Sequence, residues 1–216
     1  MRYDLETLDP GMGYKLLAST VTPRPIAWVT TLSEHGVVNA APYSFFNAMG
    51  GRPPTVALGL LAGPDGYKHT ARNIIDSGEF VVNLVPHALA DAMNITCVDA
   101  PADVSELTLA GLDSAPSAHI KPPRIAASPV SFECVTHTVV ETGPHQTVVI
   151  GRVLAIHIAD EFLLNPERGH VDTPKLDLVA RMHGGGWYAH SPQMFELVRP
   201  VWSDMAKAYG SVPGKA

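Results

Sequence analysis

Between Pro25 and Ser33 the β-branched and aromatic content is high and apolar residues occupy both faces, with Ile26, Trp28, Thr30 and Leu32 on one, and Glu34-His35-Gly36 closes the run as a turn. Val37 to Ala41 restarts the run, so the pattern predicts a hairpin. A third strand is predicted over Thr55 to Leu61, introduced by Pro53-Pro54 and ended by Ala62-Gly63-Pro64-Asp65-Gly66. The period then changes. Ala71, Ile74 and Ile75 follow helical spacing between Thr70 and Ser77, Gly78 supplies a stop, and Glu79 to Val85 reads as a buried strand. Ala88 to Ile95 is compatible with a second short helix.

Asp99 to Pro123 collects much of the Pro, Gly and Ser and predicts a surface excursion, either a lid or an interface. Two long strands follow, Val130 to Glu141 and Thr147 to Asp160, joined by Thr142-Gly143-Pro144-His145-Gln146 and expected to pair antiparallel. Short strands, hairpin turns, few helices and a single crossover predict a mainly β chain: an antiparallel barrel with peripheral α-helices rather than a doubly wound sheet. A single domain over residues 1–202 is expected, with 203–216 a flexible tail that has little to bury.

With 216 residues, 46% of them hydrophobic, the chain can build one sizeable core. A net charge of −6 and no run of Lys or Arg give no electrostatic footprint for nucleic acid or an anionic membrane. No apolar run reaches the roughly 20 residues that span a bilayer, and Met1 to Glu6 lacks the apolar core of a signal peptide, so a cytoplasmic protein is expected. Cys97 and Cys134 lack Cys-x-x-Cys spacing and are expected to be buried thiols. None of the ten histidines pairs at His-Glu-x-x-His spacing, and His183 and His190 stand seven apart with glycines between, so no metal site is expected. A nucleophile elbow and a usefully spaced carboxylate pair are also missing.

Three short motifs occur in order: Thr22-Pro23-Arg24-Pro25-Ile26-Ala27-Trp28-Val29-Thr30-Thr31, then Asn39 to Asn47 (Asn-Ala-Ala-Pro-Tyr-Ser-Phe-Phe-Asn), then Lys68-His69-Thr70-Ala71-Arg72-Asn73-Ile74. With Pro122 to Val130, Gly151-Arg152-Val153 and Ala180 to Tyr188, this set resembles the flavin reductase-like family, the FMN-binding split barrels that include flavoredoxin-type proteins. The resemblance runs from about Tyr14 to Pro200. It implies a homodimeric split β-barrel with FMN near the subunit interface, NADH or NADPH as electron donor, and a flavin-dependent monooxygenase or other redox partner downstream. Hydride would pass from nicotinamide to flavin N5. The alternative it leaves open is an electron carrier or flavin-binding module that never touches nicotinamide.

FMN needs a positive phosphate clamp, packing for its ring and donors for the ring's polar edge. Lys68, Thr70 and Asn73 lie at the mouth of the predicted helix, where free N–H groups and the dipole favour an anion. An ordinary surface helix with Thr70 as N-cap would carry the same residues. Ser44, Phe45, Phe46 and Asn47 are implied at the ring, although at least one of the phenylalanines also suits a barrel core. Arg24, fixed between two prolines, is aimed either at the phosphate or at a dimer contact. Thr30 and Thr31 point to opposite faces, so at most one meets the ring, and Thr31 is carried as the candidate. His183 and Tyr188 belong to a closing motif resembling Arg-x-Gly-Gly-x-Tyr, in which His183 stands where the family usually has Gly. No residue is expected to act as acid or base, because both reacting atoms belong to cofactors.

Overall fold

The computed structural model describes residues 1–63, 65–191 and 193–210. Asp9 accepts from the amides of Gly11 and Met12 and Pro10 fills the first helical position, which starts α1, Pro10–Thr20. The strands β1 (Arg24–Pro25), β2 (Ala27–Leu32), β3 (Val38–Tyr43), β4 (Phe46–Gly51) and β5 (Pro54–Leu60) follow. Then come α2 (His69–Ser77), β6 (Glu79–Asn83), α3 (Ala90–Ile95), α4 (Glu106–Leu109), β7 (Ser114–Ala115) and β8 (Arg124–Ile125). The long strands are β9 (Val130–Gly143) and β10 (Gln146–Ile158), after which β11 (Leu163–Asn165), β12 (His170–Val171), β13 (Ala180–Arg181), β14 (Tyr188–Ala189) and α5 (Trp202–Gly210) complete the chain.

Seven strands form one antiparallel sheet in the order β3-β2-β6-β9-β10-β5-β4, and β1, β13 and β14 form a small second sheet. Apolar residues on both faces of the first strand of that hairpin explain how β2 serves two cores at once. Ala27 and Val29 face a cluster with Leu58, Phe80, Ile74 and Val149, whereas Ile26 and Trp28 face another with Met93, Leu107 and Ile125. Trp28 is fully buried and donates its indole N–H to Thr96 Oγ1 at 2.9 Å, so it is a core residue. At Gly151 the strand β10 passes so close to Phe80 that an added Cβ would overlap its ring.

The main strands and α2 appear where the pattern predicts them, with ends shifted by a residue or two. Four differences carry physical content. Pattern gave no sign of α1, whose apolar Met12 and Leu17 stay exposed. The run from Pro25 breaks at Ile26, and Arg24-Pro25 pairs instead with β13. The pattern predicts no strand between Ser44 and Pro53, yet that segment opens into β4, held by β5 despite Gly50 and Gly51. Finally, α5 occupies part of the stretch expected to fray; residues 211–216, like Pro64 of the turn after β5, lie outside the described residues.

The excursion 99–123 is tied down by buried carboxylates. Glu106 accepts from the Ala40 amide at 2.9 Å. Glu133, fully buried on β9, accepts from the amides of Ala118 at 2.7 Å and His119 at 2.8 Å and pairs with His157 Nε2 at 2.5 Å. After β14, Phe195, Leu197 and Val198, and Trp202 at the start of α5, are all more than 70% exposed. Among the described residues no helix is long and apolar enough to cross a membrane.

Candidate functional site

The helix α2 begins at Lys68, whose backbone is extended and whose terminus receives no side-chain cap. Its first-turn amides therefore point outward as an anion-receptive mouth. Gly78, with φ 72°, ends the helix by returning its amide to Ile74 O. Two side-chain bonds fix the orientation of α2 on the sheet: Asn39 Nδ2 donates to Thr70 Oγ1 at 2.7 Å, and Asn73 Nδ2 donates to Thr31 Oγ1 at 2.9 Å. Thr31 and Thr70 are both buried.

The mouth opens on a cavity of about 600 Å³ whose lining includes Asn39, Tyr43, Lys68, Thr70, Asp99 and Glu106. An adjoining cavity of about 330 Å³ is lined by Tyr14, Ser44, Phe45, Lys68, Arg181 and Tyr188, among others. Tyr43, Lys68 and Cys97 line both, so the two hollows form one polar cleft with Lys68 at its waist. Lys68 Nζ stands 3.3 Å from Asp99 Oδ1, an exposed pair across the opening. Burial pushes the Tyr43 phenol up to about 12, a hydrogen bond with Thr70 opposes this, and the nearby Glu106 carboxylate adds to the rise. Tyr43 is therefore a neutral hydroxyl at physiological pH.

The remaining predicted residues take distinct places. Arg24 is buried behind the Ser44–Phe45 wall: Nη1 donates to Ala18 O and to Val21 O at 2.8 Å, Nε reaches Ser44 Oγ at 3.4 Å, and the guanidinium lies 5.8 Å from the Phe45 ring centroid. Its fork is thus spent on the end of α1, and it supports the wall from behind. Phe46 packs on the core cluster, and Asn47 is exposed on β4 with its side-chain oxygen on the Ala48 amide at 2.8 Å. Asn73 lines an adjoining hollow beside Asp76, which shares Asn39 and Arg72 with the cleft, and not the cleft itself. His183 is exposed on the glycine turn with its ring 6.0 Å from that of Trp187.

Sequence reasoning left Tyr14, Tyr43, Asp99 and Arg181 out of the candidate set. Arg181 sits opposite Tyr188 in the β13–β14 register and donates from Nη1 to its hydroxyl at 2.5 Å. That pairing follows from the closing motif once its ends are read as a hairpin. Cys97 corrects an expectation: it is exposed and lines the cleft, whereas Cys134 is buried as predicted. Burial still raises the Cys97 thiol, against the opposing charges of Arg181 and Lys68; burial pushes Cys134 up to about 12, with the Glu133 charge adding.

The large antiparallel sheet with few peripheral helices, carrying an uncapped helix mouth beside an aromatic-walled cleft, has the split-barrel fold. The sequence model of the flavin reductase like domain matches residues 19–173, and the chain belongs to that family. An uncharacterized protein of Deinococcus radiodurans is 43% identical over 206 residues, covering 93% of this chain and 90% of that protein. The structure of nitrilotriacetate monooxygenase component B from Bacillus cereus superposes with a TM-score of 0.86 at 32% identity, covering 91% of this chain and 98% of that one. For the 2-nitrobenzoate 2-nitroreductase NbaA of Pseudomonas fluorescens the TM-score is 0.84 at 31% identity, with 94% and 98% covered.

Proposed function

We propose that the protein is an FMN-binding, NAD(P)H-dependent flavin reductase. The observation that carries this reading is the shared cleft: the uncapped mouth of α2 with Lys68 opens onto the same space as Ser44 and Phe45. The donor set fits the group, because a dianionic tail calls for a cation and outward amides while a planar ring calls for an aromatic wall. A flavin held there would supply the redox chemistry, accepting hydride from a reduced nicotinamide.

The residues of the chain do the positioning. Lys68 and the amides of the first turn of α2 hold the phosphate, with Thr70 kept in place by Asn39. Phe45 packs against the ring while Ser44, steadied by Arg24, offers its hydroxyl to the polar edge. Arg181, laid over the Tyr188 ring at 4.7 Å, forms the opposite wall and favours anionic reduced flavin. Thr31 and Asn73 act as supports that set the tilt of α2, and Phe46, Asn47 and His183 stand further from this cleft.

We infer that the reduced flavin serves a partner oxygenase, a reading supported by the likeness to a monooxygenase component. The exposed apolar segment around Phe195 and Val198 supports a homodimer, in which a second copy covers it. The test is nicotinamide oxidation by purified protein with FMN, together with the flavin absorption spectrum of the protein. Turnover above the protein-free blank is expected. Bound flavin without turnover by either nicotinamide would return the electron-carrier alternative, and no flavin binding would sink both.

A further inference from the structure

Away from the cleft, three side chains distant in sequence converge: His87 after β6, Asp177 before β13 and His190 just after β14. The backbone beneath them is fastened, with the His87 amide donating to Asp177 O at 2.8 Å and the Val179 amide to Val85 O at 2.9 Å. The two imidazoles lie parallel, 3.7 Å between centroids and 5° between planes. His190 Nδ1 is 3.0 Å from Asp177 Oδ1, and His87 Nδ1 is 4.0 Å from Asp177 Oδ2. One ligand atom from each residue lies within 4.8 Å of the others.

We propose that His87, Asp177 and His190 bind a divalent transition-metal ion of the zinc class, which clamps the β13–β14 hairpin to the segment after β6. Two imidazole nitrogens and one carboxylate oxygen are a ligand set that zinc accepts, with a fourth position left for water. Bonds of about 2.1 Å in tetrahedral array put ligand atoms roughly 3.4 Å apart, and the three atoms here lie within 4.8 Å of one another. Binding therefore needs the ligand atoms to draw together by roughly 1–1.5 Å at most, with a splaying of the stacked rings so that each lone pair meets the ion. Side-chain exposures of 55% for His87 and 43% for His190 leave both rings room to turn.

Ser191 donates its hydroxyl to Asp177 and orients the carboxylate from outside the ligand set. Asp177 and Ser191 both adopt positive φ, 44° and 45°. Because Arg181 and Tyr188 stand on the clamped hairpin, the ion would also steady one wall of the cleft.

The full chain, stripped with chelator, is titrated with Zn²⁺ by calorimetry and with Co²⁺ by visible absorption. One equivalent per chain is expected, with d–d bands for Co²⁺ and a melting temperature that rises with Zn²⁺. His190→Ala and Asp177→Asn should each weaken binding by at least about tenfold, since even outer groups at such sites contribute that much. Circular dichroism checks that these variants fold, and His35→Ala, at an exposed surface histidine, should leave binding unchanged. Failure to bind one equivalent, or binding that survives His87→Ala and His190→Ala at wild-type affinity, would overturn the proposal and leave the cluster as a hydrogen-bonded tie.

Discussion

Lys68→Met keeps most of the reach of the side chain and deletes its charge, which isolates the contribution of the phosphate clamp. A charge-assisted hydrogen bond to an anion contributes about 1.5–3 kcal/mol, or roughly a 10- to 150-fold change in affinity. The Lys68 side chain is 44% exposed, so solvent screening favours the lower end, a loss of about tenfold for FMN. Riboflavin has the same ring without the phosphate, and its affinity should stay within about twofold. The Asp99 carboxylate competes for the ammonium from 3.3 Å. An exposed pair of this kind is worth about 0.2–1 kcal/mol, so Asp99→Asn should tighten FMN binding by roughly 1.4- to 5-fold. In the Lys68→Met background that gain should vanish. Flavin fluorescence titrations of the four proteins at low and raised salt measure all these terms, and salt should compress the differences. Equal losses of FMN and riboflavin in Lys68→Met would refute the assignment of Lys68 to the phosphate.

Three further perturbations probe the frame around the cleft. In Gly59→Ala the new Cβ would lie 2.8 Å from Phe45 Cβ, so about 1–3 kcal/mol of stability and part of the flavin affinity should be lost in paired unfolding and binding assays. Gly151→Ala drives into the buried Phe80 ring and should cost about 1–3 kcal/mol in urea unfolding, with partial recovery when Phe80→Leu is added. Glu133→Gln can present only one acceptor where two amides and His157 need the carboxylate, and should cost about 1–3 kcal/mol at neutral pH. Burial would raise the Glu133 carboxyl, but the Ala118 amide, His157 and the His119 amide together hold it below its ordinary range. Its contribution is then complete above about pH 4.3, the ordinary glutamate value, and fades as pH falls through the lower folded value. Wild type should lose stability over that window more steeply than Glu133→Gln in acid titrations followed by circular dichroism.

What a local pattern can encode was visible in the chain. The β2–β3 hairpin, the paired long strands and α2 with its glycine stop each rest on neighbours in sequence, and so do Ser44-Phe45 and Lys68-x-Thr70. The missed features depend on partners far away. β4 has poor intrinsic strand character and exists because β5 pairs with it. Arg24 resembled a ligand-binding side chain in its double-proline setting, yet its partners are carbonyls of a helix that the apolar pattern never signalled. The Asp9-Pro10 pair was the available clue to that helix. Cys97, Asp99 and Arg181 reach the cleft only through the folding of segments separated by tens of residues, which spacing does not report.

The two amide bolts that lock α2 onto β2 and β3 make one bank of the cleft stiff, while the bank bearing Cys97 and Asp99 belongs to a peripheral segment. Evolution can therefore retune guest preference by editing that outer lip alone. Divergence among paralogues should concentrate there, and designers seeking altered specificity have a natural place to begin.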